Sequence, residues 1–262
     1  MLELAVPKVM GIVNCTPDSF FSKHGTIDED PLPDIIDIGA FSTRPGHGYV
    51  SIDEERERLQ IWFRDKGSRQ SITALPLSID TFRADIARMC VEEYGVSIIN
   101  DVSGGSDPDM FATAAELSVP YVLTLSTPFH TPEGAFDTVS AIRHLAIQIE
   151  KLHELGVRDI IVDPGFGFGK SLDDNFKVAA ELERFKLLQQ PILAGISRKS
   201  MISNLLGCST DEALNGTTVL NTLLLAKGAS ILRVHDVKEA RECIRLTEKM
   251  GFYQGGRSNY GL

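Results

Sequence analysis

The 262-residue sequence has little cysteine, no long apolar run and no basic cluster, and each absence excludes something. Its four cysteines, Cys15, Cys90, Cys208 and Cys243, lack the close pairing of a zinc site or redox motif, so reduced thiols are expected rather than disulfides. No stretch of roughly 18 apolar residues is present, which argues against a membrane-spanning helix. The N-terminus, MLELAVPK, has neither the basic start nor the small-residue cleavage site of a signal peptide, and a cytoplasmic location is expected. A formal charge of −10 without a Lys/Arg cluster disfavours nucleic acid and anionic membrane as partners, since both require a basic face. Small-molecule substrates remain. A small anion would need a local set of basic side chains, which net charge neither reveals nor excludes.

What is present is a series of short apolar runs that stop on polar residues: VMGIVN (9–14), DIIDIGA (34–40), LPLSIDT (75–81), SIINDVS (97–103), YVLTL (121–125), DIIVDPG (159–165), PILAGIS (191–197) and ILRVHD (231–236). They are almost continuously apolar, as strands covered on both faces tend to be. Helix-like segments lie between most of them, among them DEERERLQIWF, FDTVSAIRHLAIQIEKLHEL, LDDNFKVAAELERFKLL and VKEARECIRLTEK. Eight such units without a linker, repeat or composition break predict a single α/β domain over 1–262, a (β/α)8 TIM barrel, rather than a doubly wound sheet. The closing stretch GFYQGGRSNYGL reads as a loosely held tail. The first crossover is the exception. From Phe20 to Pro33 there is room for about one helical turn, and Pro31 and Pro33 oppose its continuation. The first outer helix is therefore expected to be missing, with the thinly covered outer faces of the first two strands filled by neighbouring elements or a partner, or the sequence to lack a segment there.

The carboxyl ends of barrel strands surround one mouth, where catalytic groups gather. Here they bring Asn14, the STRPG loop, Asp80, Asn100 with Asp101, Asp163, Ser197 with Arg198 and Lys199, and Arg233 with His235 and Asp236. Any one of these could merely cap a helix or shape a turn. So many together point to a ligand site. Asp80, Asn100 and Asp163 offer acceptors that suit a flat heterocycle with amino and ring N–H donors. Lys199, Arg233, His235 and Arg44 offer charge and donors that suit a phosphorylated group. DPGFGFGK has a dinucleotide-loop look, but its glycine spacing is wrong and no acidic ribose partner follows, which argues against NAD.

In order along the chain, NCTPDSF, DIGAFSTRPG, SIDTFRADIA, INDVSGG, DPGFGFGK, GISRKSMI, LNGTTVLNT and LRVHDV resemble the motifs of the dihydropteroate synthase family, over about residues 8–249. The resemblance implies a TIM barrel that condenses 6-hydroxymethyl-7,8-dihydropterin diphosphate with 4-aminobenzoate, giving 7,8-dihydropteroate and diphosphate in folate biosynthesis, with sulfonamides competing for the benzoate site. It implies that Asp80, Asn100, Asp163 and Lys199 hold the pterin, with Arg233 beside it. Asn14, Thr43, Arg44, Arg233 and His235 would handle diphosphate, Asn14 through Mg2+. Phe166, Pro45, Lys199 and Ser200 would border the aminobenzoate, and Thr16, Pro17 and Asp18 would belong to a closing loop. A homodimer is expected on the same ground.

Three departures stand out. TLSTPFHTPEG replaces the family's usual His-Met-x-Gly after the fifth strand, Phe41 stands where many members have Glu, and the first loop continues as FFSKHG. The alternatives are a catalytically silent pterin-binding paralogue and a methyltetrahydrofolate–corrinoid methyltransferase, which shares the barrel but has no need of a diphosphate set.

Overall fold

The structure, a computed structural model, describes residues 4–15, 31–41, 50–65 and 74–252. Eight strands, β1 (Lys8–Asn14), β2 (Ile35–Gly39), β3 (Leu77–Asp80), β4 (Ile98–Asp101), β5 (Tyr121–Thr124), β6 (Ile160–Asp163), β7 (Leu193–Ala194) and β8 (Ile231–Val234), pair in parallel in the order β6-β5-β4-β3-β2-β1-β8-β7. The two ends of that order meet. Val162 bridges to Ile192, and its N–H donates to the Pro191 carbonyl at 2.9 Å, so the ring closes between β6 and β7.

Helices α1 (Ile52–Asp65), α2 (Ala84–Tyr94), α3 (Met110–Leu117), α4 (Thr138–Leu155), α5 (Leu172–Ala180), α6 (Ser200–Leu206), α7 (Leu214–Ala226) and α8 (Val237–Lys249) follow the strands. Local chemistry sets their limits. Asp137 caps α4 by accepting from the Val139 and Ser140 N–H groups, and Ser171 and Asp174 form a reciprocal capping box at α5. Gly156, at φ 102°, ends α4 in a conformation that a Cβ would strain. On α8 the buried residues Ala240, Cys243, Ile244 and Thr247 recur at helical spacing and form one inward stripe.

The segment LDDNFKVAAELERFKLL is not one helix. It breaks at Glu181, whose carboxylate receives the Thr138 hydroxyl at 2.5 Å, and continues as a 3-10 helix over Leu182–Leu188. Leu182 and Phe185 are both fully buried there, and the three-residue turn of a 3-10 helix puts residues three apart on one side.

The strands carry apolar side chains on both faces, as their sequences predict. Val9, Ile36, Ile38, Ile79, Ile99, Leu123 and Val162 belong to the large core cluster that includes the buried helix faces. Met10, Ile35, Ile98, Val122, Ile161, Leu193 and Ile231 form a separate cluster, with Leu4 packed against it. Their alternation with the first set identifies this second cluster as the filling of the barrel.

Residues 16–30, on which the expected loss of the first outer helix falls, lie outside the described residues. Of the expected alternatives for the gap over the first two strands, neighbouring elements fill it. Val9, Ile36 and Ile38 are fully buried, and Pro33 and Val237 pack so close to Gly11 that a Cβ there would meet them at 3.1 and 3.3 Å. Arg241 of α8 fastens this return, donating to the Leu32 carbonyl from Nε (3.0 Å) and Nη2 (2.6 Å) and pairing with Asp34 at 3.2 Å.

Candidate active site

Strand geometry builds the site from the barrel filling upward. Two residues beyond Ile35, Ile98, Val122, Ile161, Leu193 and Ile231 stand Asp37, Asn100, Thr124, Asp163, Gly195 and Arg233, with Asp80 beside them on β3. A period of two keeps these positions on the inner face and moves them one pleat toward the carboxyl ends of the strands. One layer of the interior is thus apolar except for the buried Ser78 on β3, and the next is largely polar.

The polar layer is bonded across the barrel. Arg233 Nε donates to Asp37 Oδ2 at 2.6 Å, Arg233 Nη2 donates to Asp80 Oδ2, and Asn100 Nδ2 donates to Asp37 Oδ2 at 3.0 Å. Burial pushes the Asp80 carboxyl up to about 7; Arg233 opposes the shift, while the charges of Asp37, Glu55 and Asp101 add to it. Burial also raises Asp163, against the pull of Lys199, the Gly165 N–H, Arg233 and Lys170. Lys199 is lowered to about 8 by burial, with Asp163 working the other way. Burial works against the Arg233 charge, but the adjoining carboxylates outweigh it and keep the guanidinium protonated. Among the described residues, Asp37 Oδ1, Asn100 Oδ1 and Thr124 Oγ1 are buried without a hydrogen-bond partner. Such groups are costly to leave unpaired, and functional sites are one place where they persist.

The loop after β6 forms the adjoining wall. Asp163 Oδ1 accepts the Gly165 N–H at 2.8 Å, and Gly165, at φ 71°, approaches so near that a Cβ would lie 2.1 Å from the Leu125 carbonyl oxygen. Lys170 turns inward and donates to the carbonyls of Leu125 (2.9 Å), Gly165 (2.7 Å) and Phe168 (3.4 Å), joining the ends of β5 and β6. The glycines of DPGFGFGK therefore serve close backbone packing. Lys199 donates to the Phe166 carbonyl and lies 4.7 Å from the Phe168 ring centre, while a Cβ on Gly167 would come within 3.4 Å of its Nζ. The Phe166 ring is fully buried in the main core, so its backbone oxygen is what meets Lys199.

Residues 33–235 match the model of the pterin binding enzyme family. The chain is 36% identical to the dihydropteroate synthase of Escherichia coli strain K12, covering 94% of this chain and 93% of that protein. It is 37% identical to the Bacillus subtilis strain 168 dihydropteroate synthase, covering 92% and 88%. This chain belongs to the dihydropteroate synthase family. Its fold also superposes on a Xanthomonas albilineans dihydropteroate synthase solved with 4-aminobenzoic acid, at a TM-score of 0.82 and 34% identity over 95% of each chain.

Of the residues that the family resemblance implies, the structure brings Asp80, Asn100, Asp163, Lys199 and Arg233 together. His235 follows β8, where its Nδ1 lies 3.1 Å from Ser197 Oγ and its backbone N–H donates to the same oxygen at 3.2 Å. Asn14 ends β1 and is exposed; Ser200 opens α6 and is exposed. Thr16, Asp18, Thr43, Arg44 and Pro45 lie outside the described residues. The segment that carries Thr43 to Pro45 is nonetheless flanked by one cluster. Arg83 holds the Val50 carbonyl at 2.7 Å and pairs with buried Glu55, and Phe41 lies 5.5 Å from its guanidinium. That contact gives the Phe41 departure a packing role.

Some strand-end candidates prove structural. Asp101 is saturated by the Ser103 and Gly105 N–H groups and the Ser103 and Tyr121 hydroxyls, and so shapes the loop after β4. Arg198 turns to Asp236 at 2.7 and 2.8 Å. Sequence reasoning missed Asp37 and Lys170. A single carboxylate in the run IIDIG, in phase with the inner face, was the available signal for Asp37. Among the described residues, no group of three or more His, Cys, Asp or Glu side chains could hold a metal ion.

Proposed function

We propose that this protein is a dihydropteroate synthase, joining 4-aminobenzoate to 6-hydroxymethyl-7,8-dihydropterin diphosphate with release of diphosphate. The observation that carries this reading is the polar layer itself. Asp80, Asn100 and Asp163 turn acceptors inward beside two partly buried cations, Arg233 and Lys199, at the mouth of a family barrel. A pterin ring presents the complementary N–H and amino donors.

In the reaction the C–O bond to diphosphate breaks and its electrons leave with diphosphate, a C–N bond to the aryl amine forms, and the amine gives up one proton, for which diphosphate or water is the acceptor. In their ionised forms Asp80 and Asp163 stabilise the positive character that develops at the pterin methylene, although burial raises both carboxyls and so works against ionisation. Lys199, held between the Phe166 carbonyl and the Phe168 ring, borders both substrates. His235, oriented by Ser197, and Arg44 with Thr43 receive the diphosphate. Pro45 and Ser200 border the aminobenzoate, while Phe166, its ring sealed in the core, contributes only the carbonyl that holds Lys199, and Thr16 and Asp18 belong to a loop that closes over the reacting atoms and limits water.

Mg2+ fits this scheme as an ion that binds with the substrate. It commonly takes one or two protein oxygens and completes its shell with phosphate and water, and Asn14 presents one exposed amide group at the end of β1. When bound, the ion would offset charge on diphosphate. A homodimer is part of the same reading, supported by the half-exposed or more exposed Val219, Leu223, Leu246 and Met250 of the last two helices and their ends; sedimentation would read a mass of twice the chain. Among the described residues no helix is long and apolar enough to cross a membrane, and we take the protein as cytoplasmic.

Diphosphate release that requires both substrates is the expected result in a coupled assay. Pterin binding without turnover in folded protein would replace the synthase by a silent pterin-binding paralogue. Methyl transfer from methyltetrahydrofolate to a corrinoid would replace it by the methyltransferase.

A further inference from the structure

Asp37 has no role in the site as proposed, yet it sits at its centre. It interrupts β2, between Ile36 and Ile38, and its side chain is 0% exposed. A carboxylate sealed from water is unfavourable unless well paired. Among the described residues, Asp37 uses one oxygen for both of its bonds, accepting from Arg233 Nε at 2.6 Å and Asn100 Nδ2 at 3.0 Å, while Oδ1 is buried without a partner.

The two carboxylates that hold Arg233 are not equivalent. Asp37 grips the inner nitrogen, Nε, and is closed off; Asp80 takes the outer nitrogen, Nη2, and remains 18% exposed. Arg233 thus occupies an Asp80 oxygen that a ring N–H donor would seek. Arg233 and the heterocycle compete for it. If Arg233 gives up Asp80 when the ligand enters, its remaining bond is the one to Asp37, and the same Asp37 oxygen fixes the Asn100 amide.

We propose that Asp37 is a positioning residue that keeps Arg233 and Asn100 in place while Arg233 yields Asp80 to the pterin ring. This rests on the synthase reading for the identity of the ligand. It adds a working carboxylate to the site and divides the labour between Asp37, which anchors, and Asp80, which binds.

The test compares wild type with Asp37→Asn, which keeps the shape and removes the charge. Calorimetric titration with 6-hydroxymethyl-7,8-dihydropterin diphosphate alone should show affinity weakened by about tenfold, and in turnover the KM for that substrate should rise while the KM for 4-aminobenzoate changes less than about twofold. A second readout is the pH profile. Charges reach Asp80 from Asp37 on β2, Glu55 on α1, Asp101 on β4, Arg233 on β8 and Lys199 before α6. Loss of the Asp37 charge should move the acidic limb of kcat/KM to lower pH. Unchanged pterin affinity, or an equal loss for both substrates with the limb unmoved, would overturn the proposal. If Asp37→Asn does not fold, Asp37→Glu keeps the charge and shifts it by one methylene; the same selective loss is expected, and wild-type affinity would overturn it. Wild type that binds the pterin without turning over would sink the synthase reading alone, since the affinity comparison still judges Asp37.

Discussion

Two rings of side chains lie inside the barrel, one pleat apart on the same strands. The lower ring, with Met10, Ile98, Val122 and Ile161 among its members, is buried and, apart from Ser78, apolar. The upper ring carries Asp37, Asp80, Asn100, Asp163 and Arg233, with its carboxylates at Asp80 and Asp163 held above their ordinary range and Asn100 Oδ1 unpartnered. The lower ring stabilises the fold; the upper ring is stressed by it. Burial that strengthens electrostatics toward a substrate also penalises the charged groups while they wait, so the apolar ring offsets what the polar ring costs.

Four substitutions would break or sharpen that contrast. Lys199→Ala should have the largest effect, a fall in kcat/KM of about a thousandfold, or about 4 kcal/mol of transition-state stabilisation, with both substrates used less well. Wild-type kinetics in a diphosphate-release assay would remove Lys199 from the site. In the lower ring, Ile161→Ala should cost about 3 kcal/mol of stability in urea unfolding while turnover per folded molecule stays within about twofold. An activity loss as deep as that of the lysine variant would mean that the rings are not separable.

Asp80→Asn should lower kcat/KM by about a hundredfold, roughly 2.7 kcal/mol. It also has a signature in stability. The Asp80 carboxyl is raised from the ordinary 3.8 to about 7, so the folded chain holds a proton there that the unfolded chain has released. The stability this confers is complete below the unfolded value and is lost as pH rises through about 7. Melting temperature should therefore fall as pH rises from about 4 to about 7 and level off above that, and fall less in Asp80→Asn. Parallel curves would contradict the raised carboxyl. The smallest effect is expected of Gly195→Ala, whose Cβ would stand 3.7 Å from Asp163 Oδ2 and 3.9 Å from Arg233. Those are ordinary contacts, so the fold should tolerate the methyl while the KM for the pterin substrate rises by about threefold through lost space.

The barrel was legible in the sequence because its strands are apolar on both faces and stop on polar residues, which holds even for β7, where two residues suffice. The acceptors and cations of the site were legible from their place at strand ends. Asp37 was not, because it lies mid-strand, where only the phase of the alternation separates an inner carboxylate from an outer one. Lys170 was hidden in a motif whose glycines drew the eye to nucleotide loops. The division of residues 172–188 was equally hidden, since Leu182 and Phe185 suit an α-helix and a 3-10 helix alike.

The segment after β5, where the sequence leaves its family pattern, is an ordered turn. His130 bridges to Phe136, the Asp137 N–H reaches the Phe129 carbonyl at 2.7 Å, and His130 Nε2 lies 3.0 Å from Asp174. Its attachment to the site wall runs through Lys170 and the Leu125 carbonyl. Every residue has that oxygen. A clasp closed on the main chain is indifferent to the side chain at residue 125, so the wall keeps its place whichever residue stands there.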